Sequence, residues 1–207
     1  MSSKIKKIVW AVEPRPSDQD IEQNTLKQIT QFNRKLSAQI QPVSIAEIGA
    51  DRDLGKKYIE ELKTRIQSYT DPKLEPVYVI EKEGPLSVTE NIDLLLQYCQ
   101  QNQADLIVLQ THAKKGVERL FLGSFTESFI LESKLPSLTI NPTTPVKTPQ
   151  DKILFLTDFS KKSIQGFHDV LALAKANESA VTVFHRVQSV HIPFSEINNV
   201  GSDSMAK

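Results

Sequence analysis

Cysteine is almost absent from this chain of 207 residues: Cys99 stands alone. One thiol excludes a disulfide framework and a cysteine-built zinc site within the chain. An excess of either charge is missing too, since 25 Lys and Arg face 25 Asp and Glu. A neutral chain has no long-range field to gather duplex nucleic acid or an anionic membrane. No basic run exceeds the short cluster of Lys4, Lys6 and Lys7. No stretch approaches the roughly 18 apolar residues of a membrane span. The four histidines, His112, His168, His185 and His191, are scattered without HExxH spacing, and no metal site is expected. The opening MSSKIKKIVW lacks the apolar core of a signal peptide. These absences set the expectation of a reduced, cytoplasmic, soluble protein that binds neither nucleic acid nor membrane.

What is present is a hydrophobic fraction of 39%, enough for a packed core. Short β-rich runs at 8–12, 43–48, 77–80, 106–109 and 137–140 alternate with segments of helical period. Ser17 with Asp20 makes a capping-box pattern, and Ile21, Thr25, Ile29, Phe32, Leu36 and Ile40 follow at helical spacing. Leu54, Tyr58, Leu62, Ile66 and Tyr69 mark a second amphipathic helix. Ser87 and Glu90 open a third, with Ile92, Leu95, Leu96 and Cys99 on its apolar face, which makes Cys99 a small core hydrophobe. Ser124 with Glu127 opens a fourth. Strands separated by helices imply right-handed crossovers and a five-stranded, mostly parallel sheet in an α/β sandwich. Ligands in such folds sit beyond the carboxyl ends of the strands, which directs attention to the turns after Val12 and Leu109.

Residues 141–150 (NPTTPVKTPQ) carry three prolines and no apolar period, as a semi-rigid linker does. Beyond it the opening pattern returns: Lys7-Ile8-Val9-Trp10-Ala11-Val12-Glu13 is echoed by Lys152-Ile153-Leu154-Phe155-Leu156-Thr157-Asp158. A helical pattern through Ile164, Phe167, Leu171 and Ala174 and a strand-like run at 181–187 follow, giving a partial β-α-β second copy. The expected organisation is a domain at 1–142, a Pro/Thr-rich linker at 143–150, a partial second domain at 151–190 and a polar, flexible tail at 191–207. The chain reads as a fragment, or a shortened form, of a tandem protein. Otherwise the β-α-β unit must dock on the first domain or on a partner.

The segment 105–124 (DLIVLQTHAKKGVERLFLGS) resembles the universal stress protein family, as do SLTINP at 137–142 and Asp158-Phe159-Ser160. The resemblance implies a Rossmann-like (adenine nucleotide alpha hydrolase-like) sandwich of five parallel strands. Nucleotide-binding members carry Gly-x2-Gly-x9-Gly-Ser/Thr after the fourth strand. There, glycines let the backbone approach phosphates and the last Gly-Ser opens a helix whose free N–H groups attract anions. Laid on this chain, the first glycine is Gln110 and the second Ala113, while Gly123 and Ser124 match. Gln110 puts a side chain where the family has bare backbone, and a positive φ there would be strained. After the first strand this chain has Glu13-Pro14-Arg15, whereas the aspartate of nucleotide-binding members is matched by Asp158 in the second copy. The nucleotide-site residues implied are Glu13, Gln110, Thr111, His112, Ala113, Gly123, Ser124, Phe125 and Thr126, with Asp158 as the second-copy position. The competing reading of Ser124 and Glu127 is a plain helix cap.

No catalytic residue and no required cofactor are expected. The leading reading is a non-catalytic regulatory protein of stress tolerance that acts through unidentified protein partners, its first-domain nucleotide site being degenerate. The alternative is an ATP- or AMP-binding switch, or a slow ATPase, using the loop from Gln110 to Ser124, with Glu13 or His112 as the only candidate acid or base. A homodimer through the strand at 137–140 is also expected, because that strand has one in-sheet neighbour and leaves an edge free to pair.

Overall fold

The computed structural model describes residues 5–13, 19–49, 52–111, 124–144 and 152–186. The chain divides into two compact units between Asp151 and Lys152. The first holds β1 (Lys7–Ala11), α1 (Gln19–Asn33), β2 (Gln39–Ile48), α2 (Arg52–Gln67), β3 (Tyr78–Glu83), α3 (Val88–Gln101), β4 (Leu106–Gln110), α4 (Ser124–Glu132) and β5 (Ser137–Ile140). Its five strands are all parallel, in the order β3-β2-β1-β4-β5. The chain therefore winds outward through α1 and α2, returns past β1, and winds the other way through α3 and α4. This is the Rossmann-like arrangement expected from the alternating pattern.

One face of the sheet packs Val9, Val43, Ile107 and Leu109 against Ile92, Leu95, Tyr98 and Cys99 of α3 and Phe129 of α4. Cys99 is buried, and burial pushes its thiol up to about 12, as befits a core hydrophobe rather than a nucleophile. Period-2 alternation sends Ile8 and Trp10 to the opposite face, and both are fully buried. The Ser87–Glu90 capping box forms in full: the Glu90 N–H donates to Ser87 Oγ (3.2 Å) and the Ser87 N–H to Glu90 Oε2 (2.8 Å). Ser17 lies outside the described residues.

Two helical patterns were longer or differently phased than the helices themselves. The period that runs on to Leu36 and Ile40 is cut at Asn33, whose side chain donates to the Ala38 carbonyl and accepts from the Ala38 N–H. Ser37 then takes φ +57°, and Ile40 enters β2 instead. On α2 the buried face is Ile59, Leu62 and Ile66, while Leu54 and Tyr58 are about half exposed (47% and 48%).

β2 is twice as long as β1 and serves two partners in succession. Residues 39–43 pair with β1, and residues 43–48 pair with β3. A lone bridge joins Ile40 to Leu74 below the β3 ladder, with the Ile40 N–H donating to the Lys73 carbonyl and the Glu75 N–H to the Ile40 carbonyl. Pro42 separates that bridge from the ladder. By alternation its missing N–H is the donor that would have joined them.

α1 and α2 are tied by a buried ion pair. Arg65 grips Glu22 with Nε to Oε2 at 2.8 Å and Nη2 to Oε1 at 3.1 Å, and the Tyr69 hydroxyl adds a bond to Oε2 at 2.9 Å. The Glu22 side chain is 1% exposed and that of Arg65 10%. Burial, and then the Glu22 charge, raises the Tyr69 phenol above its ordinary value.

In the second unit β6 (Lys152–Leu156), α5 (Lys161–Asn177) and β7 (Ala180–Phe184) form a parallel β-α-β motif. Phe155 of β6 meets Phe167 of α5 on the covered face of the sheet. By register Leu154, Leu156 and Phe184 share the other face and are exposed. The strand-like run expected at 181–187 is shorter and one residue earlier, and residues 187–207 lie outside those described.

Arg65→Met leaves the Glu22 carboxylate buried without its partner, and is expected to cost about 3–5 kcal/mol in urea denaturation. Adding Glu22→Leu should recover most of that loss. An equal loss in the single and double variants would show that the pair does not hold the two helices.

Candidate functional site

The strand order reverses between β1 and β4, the switch point beside which open α/β sheets bind ligands. Here the switch point is enlarged by the stagger of β2. The last rung of β1 is the Val12 N–H donating to the Val43 carbonyl, yet β2 continues five residues further. A cleft of about 830 Å³ opens in the space above the end of β1. That falls in the range of small-molecule sites, roughly 300–1,000 Å³.

Its floor is apolar, from Ala11, Val43, Ile45, Leu95 and Leu109. Tyr58 of α2 and Phe125 of α4 supply aromatic walls, and Glu13, Glu47, Asn91, Gln110 and Thr126 supply the polar groups. Glu47 is fixed in part by the Leu86 N–H, which donates to its Oε1 (3.2 Å). Alternation turns the backbone groups of Ile45 and Glu47 toward the side that β1 has left, so this stretch of β2 can donate to and accept from a planar ligand.

Gln110 is the last residue of β4 and is not among the residues with positive φ. The strain expected at the first glycine position is therefore absent, because the strand simply extends through it. Its side chain leaves toward α1, where Nε2 donates to Thr25 Oγ1 at 2.8 Å and Thr25 in turn donates to the Ile21 carbonyl at 2.9 Å. Its carbonyl accepts from Thr126 Oγ1 at 3.2 Å. Gln110 thus ties β4 to α1 on one side and to α4 on the other. Thr25 and Thr126, both buried, are satisfied by it.

The sequence-derived residues separate accordingly. Glu13, Gln110, Phe125 and Thr126 come together on the cleft. The Glu13 carbonyl accepts from Arg65 Nη2 at 3.4 Å, which links the cleft rim to the buried ion pair. Thr111 does not line the cleft: its N–H and Oγ1 both donate to the Ile140 carbonyl of β5. His112, Ala113 and Gly123 lie outside the described residues, as does the side chain of Ser124, the first residue of α4. The helix-cap reading of Ser124 therefore falls outside them too. Asp158 belongs to the second unit, on the exposed turn between β6 and α5. The Ser160 N–H donates to its Oδ1 at 2.9 Å and holds the carboxyl below its ordinary range. The neighbouring Phe159 sits at φ +58° with its ring 4.8 Å from that of His185. Among the described residues no three His, Cys, Asp or Glu side chains cluster as a metal site would, and no helix is long and apolar enough to cross a membrane.

A doubly wound parallel sheet with an open cleft at its switch point defines a Rossmann-like α/β domain. The profile of the universal stress protein family matches residues 5–141, well over half of the chain, and the chain belongs to that family. A universal stress protein from Archaeoglobus fulgidus DSM 4304 shares the fold with a TM-score of 0.59 at 13% identity, over 95% of this chain and 72% of that one. A structure of the universal stress protein from Archaeoglobus fulgidus in complex with dAMP aligns at 17% identity and TM-score 0.45, over 67% of this chain and 99% of its own. A universal stress protein in complex with cAMP aligns at 15% identity and TM-score 0.45, over 68% and 100%. No curated protein matches the chain.

Thr25→Val removes the acceptor of the Gln110 amide at nearly constant volume. It should lower stability by about 1–3 kcal/mol in urea denaturation. A loss within a few tenths of a kcal/mol would mean that the Gln110–Thr25 bond does not hold β4 to α1.

Proposed function

We propose that this universal stress protein is a non-catalytic regulator of stress tolerance that acts in the cytoplasm through protein partners, with a weakened nucleotide site in its first domain. The observation that carries this reading is the double engagement of Gln110 with Thr25 and Thr126. A phosphate cradle needs backbone N–H groups turned inward and little side-chain bulk at that point. Here the β4 end is committed to its neighbours, and the Thr126 hydroxyl donates to protein rather than standing free for an anion. The β6-α5-β7 motif, with its echo of the opening strand, is a partial second domain of the same kind, after a linker at 143–150.

Purified protein should therefore release no adenine nucleotide on denaturation, and calorimetric titration should find ATP and AMP binding weakly. Gln110→Gly with Ala113→Gly should strengthen ATP binding by about tenfold or more, near 1.4 kcal/mol. Stoichiometric nucleotide carried through purification would overturn the weakened-site reading.

Among the described residues β5 pairs with β4 alone, and Leu131 on the adjoining α4 is 79% exposed. An open parallel edge beside exposed leucine favours self-association. The expected assembly is a homodimer through Ser137–Ile140. Light scattering at micromolar concentration should give twice the chain mass of 23.3 kDa, and Thr139→Pro should return it to a monomer. A monomer before substitution would remove the dimer.

A further inference from the structure

The open face of β6 and β7 has a counterpart in the first unit that is covered. Leu156 stands opposite Phe184 as Ala11 stands opposite Val43. The Thr157 N–H donates to the Phe184 carbonyl (3.0 Å) as the Val12 N–H donates to the Val43 carbonyl (2.8 Å). With the echo of the two strand sequences, this makes Leu154, Leu156 and Phe184 the equivalents of Val9, Ala11 and Val43. Val9 and Val43 are 0% and 1% exposed, because α3 and α4 lie on them through Ile92, Leu95, Tyr98, Cys99 and Phe129. Leu154, Leu156 and Phe184 are 62%, 65% and 53% exposed. The protein itself thus shows what buries a face of this kind: an amphipathic helix.

Two details select the occupant. Ala11 and Val43 lie on the floor of the first unit's cleft, where small side chains leave it open. Leu156 and Phe184 are larger and fill that level, so this face suits a packed protein surface rather than a small molecule. Lys152 stands at the amino end of the face, as Lys7 does in the first unit. There, burial raises the Cys99 thiol and the Lys7 charge opposes the rise, so Lys7 acts on the last turn of α3. A cation at that place complements the negative end of the helix dipole. Lys152 offers the same complement to a helix laid antiparallel to β6.

We propose that the open face of β6 and β7 docks an amphipathic α-helix of a protein partner, antiparallel to β6, with a stripe of Ile, Leu or Phe like that of α3. A single helix across two strands buries less than the roughly 800 Å² per partner of a standard interface. The contact is therefore a transient one, with a dissociation constant on the order of 10 µM. The proposal rests on the reading of the protein as a partner-binding regulator, and it gives that reading a surface and a partner chemistry.

The probe is α3 itself as a labelled peptide, residues 86–103 with Cys99→Ser. A staple between the positions of Asp93 and Gln97, both exposed on α3, holds it helical. Fluorescence anisotropy should show it binding the full chain with a dissociation constant of about 10–100 µM. Leu154→Glu and Phe184→Glu should each weaken binding by about tenfold or more. Circular dichroism should be unchanged in both, since each side chain is more than half exposed. Lys152→Glu should weaken binding by about threefold, an effect that fades at about 500 mM salt. Val88→Glu, at an exposed apolar position of the first unit, should change nothing. Equal binding by the Leu154→Glu variant would put the peptide elsewhere and overturn the proposal. No binding at about 200 µM would overturn it too, as when another part of the chain closes the face. A fall in the mass of the full chain on Leu154→Glu, read by light scattering, would make the face a contact between two copies and overturn the helix as its occupant. Each of these failures strikes this surface alone, because the regulator reading is tested separately by nucleotide release.

Discussion

The cleft of the first unit follows from one strand being too long for its neighbour. β2 pairs with β1 for half its length and with β3 for the other half. Had β1 run on beside it, the switch point would be a shallow notch filled by one more row of core side chains. Because β1 stops at Ala11, α2 and α3 overhang a space with a sheet for a floor and no strand along one side. The helices cannot close it by collapsing, since their own buried faces (Ile59, Leu62 and Ile66 on one, Ile92, Leu95 and Cys99 on the other) are fixed against the sheet. An interior packed to crystal density does not yield by several ångströms.

Two polar networks hold the rims of that space, and they differ in kind. The Glu22–Arg65–Tyr69 cluster is ionic and dry. Its net worth to stability is small against a well-packed apolar alternative, but either member left alone is costly. Its service is geometric, because the same guanidinium reaches the Glu13 carbonyl at the end of β1. The Gln110–Thr25–Thr126 network is neutral and sits at the end of β4. Between them the described ends of β1 and β4 that border the switch point are tied to α1 and its neighbours.

Much of this fold was legible in the residues. The five apolar runs became five strands, 137–140 without a change of boundary, and the Ser87–Glu90 box formed as written. Helix ends were less legible: Leu36 and Ile40 keep the helical period past Asn33, and only a side-chain bond from Asn33 to Ala38 breaks it. The site was legible where the resemblance ran through β4, which gave Gln110, Phe125 and Thr126. Glu47 escaped notice because it reaches the cleft through the register of β2, and Tyr58 and Asn91 because they reach it from α2 and α3, relations between elements that no local pattern spells. Tyr58 held a place in an amphipathic helical period, which gives no sign of a cleft. Glu22 carried no signal at all, since an acidic residue in the first turn of a helix is ordinarily a solvated one. The direction of the Gln110 side chain was likewise a tertiary matter, decided by Thr25 eighty-five positions away.

Pro42 gives the sheet a mechanical property. Below it, β3's lead-in is pinned to Ile40 by two bonds; above it, the ladder resumes from Val43. On the β3 side no backbone N–H spans the proline, and the Gln41 side-chain amide bridges to the Pro76 carbonyl instead (2.6 Å), while the β1 ladder runs past Pro42 unbroken. The half of the sheet with β1, β4 and β5 and the wing of upper β2 with β3 share a strand but not a continuous ladder. That gap lies next to Val43 on the cleft, so a side-chain amide rather than a main-chain donor carries the sheet across the level of its floor.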